Sequence, residues 1–236
     1  MLQAVCFDYF NTCTSAVRRG NAHRRTAEVL GVDPAAWVEL LDRTYDERIR
    51  GAYGGHFAGL RRLCTELGVE PTTAQLRAAV ELRRAALRDD APLRPETIPV
   101  LRALRAAGVR IAIVSDCWFE LPLYLPCSPL AGVYDVAVYS VQVGHAKPHP
   151  AMYATACDLL DVDPGRCLYV GDGGGRELTG AARYGLTAVQ LQAPDLGEHL
   201  TFDAEPDWRG AAVESLAEVL ELVRAIRRVS APMLVA

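Results

Sequence analysis

The sequence predicts an α/β fold, a doubly wound parallel sheet carrying a helical insert. Three observations lead there. Short apolar runs end in polar clusters; from about residue 96 such runs alternate with helical stretches; and residues 21 to 90 hold helical spacing with no convincing strand.

Taken in order, "QAVCFD" (3 to 8) reads as a short buried strand ending in an acid. "AHRRTAEVLGV" is a helix stopped at Gly31, and "DPAAWVELLDRTYDERIRGAYGG" opens with an Asp33 cap and Pro34 in its first turn. "HFAGLRRLCTELGV" and "TTAQLRAAVELRRAALRDD" repeat an apolar i, i+3, i+4 rhythm, which makes an insert of four helices. The expected division is residues 1–15 and 92–236 for the α/β core and 16–91 for the insert. In the core, "ETIPVLRALRAAG" is a helix, "VRIAIVSD" a strand, "YDVAVYS" a strand and "PAMYATACDLLDV" a helix. "CLYVGD" follows as a strand, "GRELTGAARYG" as a helix and "LTAVQL" as a strand. Between them, "CWFELPLYLPCSPL" (117 to 130) reads as a loop with exposed-looking apolar residues, for packing on the insert or for a dimer contact.

Composition narrows the function. Of 236 residues, 50% are hydrophobic, enough for a sizeable core, and the net charge of −4 comes with no long basic run. Nucleic acid and anionic membrane are therefore not expected as partners. No stretch approaches the roughly 18 uninterrupted apolar residues of a spanning helix. "MLQAVCFDYF" lacks a basic region and a cleavage site, so a cytoplasmic setting is expected. The seven cysteines show no CxxC spacing, which argues for a reducing compartment and against zinc. Lys147 is the sole lysine among 25 basic residues. A site that needs a compact ammonium would resist replacement by arginine's planar head.

Polar residues at strand ends are where open α/β sheets gather their chemistry. Asp8, Ser115, Asp116 and Asp172 all fall there. Asp8, Asp172 and nearby Glu177 would repel one another unless a cation lay between them. Oxygen ligands without His or Cys suit Mg²⁺. "GDGGGRELTGAARYG" adds a glycine-rich turn entering a helix. Each residue has a plainer reading: Asp172-Gly173 an ordinary turn, Ser115 a helix cap, and Thr12 a residue that orients the turn after the strand rather than one that touches substrate.

The ordered set Asp8-x-x-x-Thr12, a strand ending in Ser115, Lys147-Pro148, and Gly171-Asp172 followed by Glu177 resembles the haloacid dehalogenase (HAD) superfamily, over residues 4 to about 190. The resemblance implies a Rossmann-like core with the helical insert as a cap. It makes Asp8 a nucleophile that forms a covalent aspartyl intermediate, with Lys147 as its catalytic partner. Ser115 and Lys147 would hold phosphoryl oxygens, with Asp116 and Thr12 beside the substrate. Mg²⁺ would be bound by Asp8, the backbone carbonyl of Phe10 and Asp172, with Glu177 acting through water. The implied activity is a Mg²⁺-dependent phosphatase or phosphotransferase acting on a small phosphorylated metabolite, as monomer or homodimer.

One position departs from that pattern. Phosphatases of the family usually carry a second aspartate two residues after the nucleophile, where this chain has Phe10. A phenyl ring transfers no proton, and such help is worth roughly 10²- to 10⁴-fold. An aromatic there resembles the family's metal-independent 2-haloacid dehalogenases, which are the first alternative. Their fourth motif lacks the Gly171-Asp172 pair, and asparagine tends to stand where this chain has Asp116. A weakly active or noncatalytic HAD-like binding protein is the second alternative. In the insert, Arg48, Arg50, Tyr53 and His56 around "RGAYGGH" are candidates for gripping an anionic leaving group, with His56 a stand-in acid. The alternative is a solvated turn between two helices.

Overall fold

In the computed structural model, which describes residues 1–229, the strands form one six-stranded parallel sheet in the order β3-β2-β1-β4-β5-β6. Residues 230–236, included in the expected core range, lie outside the described residues. Strand β1 (Ala4–Phe7) leads into a tight turn, Tyr9–Cys13, and then into helices α1 (Ala22–Leu30), α2 (Pro34–Arg43), α3 (Tyr45–Ile49), α4 (His56–Glu66) and α5 (Thr73–Asp90). Then come α6 (Thr97–Ala106), β2 (Arg110–Ser115), α7 (Glu120–Tyr124), β3 (Val136–Tyr139), α8 (Ser140–Val143) and α9 (Pro150–Leu160). The chain continues with β4 (Cys167–Gly171), α10 (Glu177–Tyr184), β5 (Thr187–Leu191), β6 (Ala211–Val213) and α11 (Leu216–Val229).

The two-residue period of each strand divides its side chains between two apolar layers. Val5 and Phe7 of β1, with Ile111, Ile113, Leu168 and Val170, face the layer that includes α6 and α11. Ala4 and Cys6, with Ala112, Val114 and Tyr169, face the layer that includes α9 and α10. Burial on both faces explains why the strands read as continuous apolar runs. Strand β1 lies between β2 and β4 and pairs with both, so its carboxyl end sits at the middle of the sheet edge.

Helices α1 to α5 carry a third apolar cluster, with Leu30, Trp37, Leu40, Leu60, Leu63 and Leu76 fully or almost fully buried. Local signals work as read. Asp33 Oδ1 accepts a hydrogen bond from the Ala36 N–H at 2.8 Å, and Gly31 ends α1 at φ 77°, a conformation that favours glycine. Two expectations need correction. The insert has five helices rather than four, because Thr44 breaks the second: its φ, ψ of −97°, 8° depart from helical, and its hydroxyl donates to Leu40 O at 2.7 Å. Residues 117–130 do pack on the insert, one of the two outcomes expected, but they include a helix and are mostly buried rather than an exposed-looking loop. Trp118 and Phe119 are buried in the cluster of α1 to α5, while Cys117, Leu121, Leu125 and Leu130 are buried in a sheet layer, so the segment couples the two. Among the described residues no helix is long and apolar enough to cross a membrane.

Candidate active site

The site is built on the carboxyl ends of β1, β2 and β4. Asp8 directly follows β1, and its backbone N–H donates to Val170 O of β4 at 2.9 Å, which fixes the acid at the sheet edge. The Lys147 ammonium donates to Asp8 Oδ1 and to Glu177 Oε2, both at 2.6 Å. All three side chains are nearly inaccessible, at 4%, 6% and 0%. The loop carrying Lys147 is pinned to β2, since its own N–H donates to Asp116 Oδ1 at 3.0 Å.

Glu177 opens α10 and is held from three sides. Besides the ammonium, Tyr169 Oη–H donates to its Oε2 at 2.7 Å and the Gly173 N–H to its Oε1 at 3.0 Å. Any side chain at Gly171 would overlap the Glu177 carboxylate, so the glycine makes room for the acid. Asp172 Oδ2 accepts from Asn11 Nδ2 at 3.1 Å and meets His199 Nε2 at 2.9 Å. Its Oδ1 accepts from the Gly174 N–H at 3.2 Å. Asn11 can reach because it adopts a left-handed φ of 61°, which asparagine tolerates better than most residues.

The electrostatics follow from three clustered acids, Asp8 and Glu177 paired with one ammonium and Asp172 with His199. Burial pushes the Asp8 carboxyl up to about 6, against the pull of Lys147 and with the push of Asp172. Glu177 is also pushed up, by burial first. At Asp172 burial acts upward, but the hydrogen bonds from His199 and the Gly174 N–H hold the group below the ordinary carboxylate value. The same contact raises His199. Oxygen atoms of Asp8, Asp172 and Glu177 all lie within 4.8 Å of one another. An all-oxygen acidic set with a single ammonium among it fits a hard divalent cation.

A cavity of about 460 Å³ opens over this edge, between the sheet and helices α1 to α5. Asp8, Phe10, Asp116, Lys147 and Asp172 line it. Phe10 is half-buried, with its ring edge-on to Tyr9 at 5.0 Å between centroids. Thr12 and Ser115 are fully buried and do not line the cavity, and among the described residues neither hydroxyl has a hydrogen-bond partner. From the helical insert, Arg48 and Arg50 line the cavity. Tyr53 and His56 do not: Tyr53 Oη–H donates to Glu66 Oε1 at 3.0 Å, and His56 packs on Phe57 and Phe119.

Sequence reasoning missed Asn11, His199, Tyr169 and the cavity residue His23. Asn11 alone carried a local signal, a polar residue beside the candidate nucleophile; the others act across the fold.

The model of the haloacid dehalogenase-like hydrolases matches residues 2–185. The chain belongs to this family of hydrolases. It is 26% identical to a glyceraldehyde 3-phosphate phosphatase of Methanopyrus kandleri, over 97% of this chain and 100% of that protein. It is 32% identical to (S)-2-haloacid dehalogenase 4A of Burkholderia cepacia, over 41% of this chain and 42% of that one. The fold is shared with the L-2-haloacid dehalogenase of Xanthobacter autotrophicus with chloropropionic acid covalently bound (TM-score 0.65, 18% identity, 96% of this chain, 100% of that chain). It is also shared with a HAD phosphatase from Thermococcus onnurineus (TM-score 0.64, 19% identity, 94% and 98%). Family members on both sides of the phosphatase–dehalogenase divide thus resemble this chain.

Proposed function

We propose that this hydrolase is a Mg²⁺-dependent phosphatase or phosphotransferase that acts on a small phosphorylated metabolite through an aspartyl-phosphate on Asp8. One observation carries the choice: three carboxylates converge within 4.8 Å of one another, and among the described residues the ammonium beside them bonds only Asp8 and Glu177. A dehalogenase that works without metal has no use for that excess of buried acid, which is costly to keep without a counter-cation. Asp8, Asp172 and the Phe10 carbonyl would hold the ion, with Glu177 behind them. When bound, it supplies positive charge that offsets the phosphoryl oxygens.

In this reading Asp8 attacks through Oδ2, because Oδ1 is engaged by Lys147 and Oδ2 has no hydrogen bond among the described residues. The new Oδ2–P bond forms as the P–O bond to the leaving group breaks, and the leaving oxygen keeps the electron pair. Water then cleaves the acyl phosphate, releases phosphate and regenerates the carboxylate. Lys147 orients Asp8 throughout, and with its ammonium between Asp8 and Glu177 it limits their mutual repulsion. Asp116 lines the cavity and is an acid that could stand in for the missing aspartate. Burial raises its carboxyl above the ordinary value, which favours a proton-carrying form. The free cysteines, six of them buried, support action in a reducing, cytoplasmic compartment.

Phe10 supports a second reading, a metal-independent 2-haloacid dehalogenase in which Asp8 attacks carbon and displaces halide. Assaying the purified protein against aryl and alkyl phosphates and 2-haloacids, each with Mg²⁺ and with EDTA, separates the two. Phosphate release that EDTA abolishes supports the phosphatase. EDTA-resistant halide release overturns it, and silence in every arm favours a noncatalytic binding protein.

A further inference from the structure

The cavity extends beyond the catalytic edge to a wall made by the cap, and that wall has its own charge pattern. Arg19 is paired with Asp42, and Arg83 with Glu120. Arg48 differs. Only 6% of it is exposed, it lines the cavity, and no carboxylate pairs with it among the described residues. Its Nε donates to Thr44 Oγ1 at 3.0 Å and its Nη2 to Leu41 O at 2.6 Å, and its guanidinium lies 5.0 Å from the Trp118 ring centroid. Those contacts orient the fork without neutralising it, and among the described residues Nη1 makes no hydrogen bond.

Two further polar atoms in this wall are buried with no hydrogen-bond partner among the described residues, His23 Nδ1 and Trp118 Nε1. The imidazole is kept neutral, its pKa lowered to about 4 by burial and by Arg83, Arg19 and Arg48. A buried cation is expensive, and Glu120, the carboxylate whose charge reaches Arg48, is already paired with Arg83, so the cost is relieved when an anion docks against Arg48. Arginine's planar fork is well suited to a carboxylate or phosphoryl group. Tyr45, whose ring stacks on Phe202 at 4.0 Å, also lines the cavity, and its hydroxyl feels the charges of Asp116, Lys147 and Asp8.

We propose that Arg48, with His23 and Trp118 beside it, forms a second anion subsite in the cap, so that the substrate carries one anionic group at the sheet edge and another at its far end. Which group reacts at Asp8 rests on the phosphatase reading, but occupancy of the Arg48 subsite does not.

The test is calorimetric titration of the full-length protein with matched, unreactive probes. With Mg²⁺ present, 4-phosphonobutyrate should bind about 10- to 100-fold more tightly than butylphosphonate, the range for a charged hydrogen bond. A 1,4-butanediphosphonate arm tells a distal phosphoryl preference from a carboxylate one. Glutarate against its monoamide, run in EDTA, measures the subsite with no phosphoryl group and no metal, so it stands even if the phosphatase reading fails. Arg48→Gln should erase each preference and Arg48→Lys should keep part of it, with near-ultraviolet circular dichroism reporting the Trp118 environment in both. Equal affinity for the paired probes in the wild type overturns the subsite, as does a preference that survives Arg48→Gln in a folded protein.

Discussion

Replacing Lys147 by methionine keeps most of the aliphatic stem and removes the charge that Asp8 and Glu177 share. Each contact is 2.6 Å long. At an effective dielectric near 20, such a contact amounts to about 6 kcal/mol of attraction. Burying the ammonium offsets several kcal/mol of that, so the net cost of breaking a buried pair is about 3–5 kcal/mol. The loss should depend on pH. Without the ammonium, Asp8, already pushed up to about 6, and Glu177 rise further. A folded state whose carboxyls titrate above their unfolded values binds more protons than the unfolded chain, so its stability recovers as pH falls toward about 4. Urea unfolding in EDTA at pH 8 and pH 5 measures this. Lys147→Met should cost about 3–5 kcal/mol at pH 8 and clearly less at pH 5. A loss under about 1 kcal/mol, the scale of an exposed pair, or one equal at both pH values, would refute the shared-charge reasoning.

Asp172→Ala removes an acid from the trio and should weaken Mg²⁺ binding at least about tenfold, the scale of a lost charged contact; calorimetry with unchanged affinity would remove Asp172 from the metal site. His23 is depressed from 6.5 to about 4, so its neutral form contributes stability that is complete above pH 6.5 and lost as pH falls through 4. Between those values the wild type should lose up to about 3 kcal/mol more than His23→Gln, a bound worked from 1.36 kcal/mol per unit, and parallel pH profiles would contradict it. With Phe10 in place of the usual acid, aryl phosphates should give a burst of leaving group and slow turnover, and Phe10→Asp should speed alkyl phosphates by up to about 10²-fold. Rapid, burst-free hydrolysis of an alkyl phosphate by the wild type would mean that another group already transfers the proton.

Strand ends were legible because burial on both faces makes a strand an apolar run, and a charged residue closing it stands out. Asp8, Asp116 and Asp172 were found that way, and Lys147 by being the only lysine. The sheet's last strand, Ala211–Val213, is too short to show a period, while the amphipathic helix after it, with Leu216, Val219 and Val223 inward, carried a readable signal that went unused. The partners of Asp172 come from Asn11 and His199, brought together only by the fold. The same holds in the helical insert, where α1 supplies His23, α3 supplies Arg48 and α5 supplies Arg83. Trp118 reached that wall from a segment whose apolar residues left packing on the insert and a dimer contact both open, because its burial depends on helices far away in sequence.

Asp8 as the attacking group is tested most directly by trapping what it carries. The protein is mixed with an aryl phosphate and Mg²⁺, quenched in acid within the burst and digested, and the peptide holding Asp8 is weighed and sequenced. A phosphoryl group on Asp8, absent when EDTA replaces Mg²⁺ and absent in Asp8→Asn, is the predicted result. Product formed with Asp8 unmodified at every quench time would contradict it, as would an Asp8 alkylated by a 2-haloacid in EDTA and never phosphorylated.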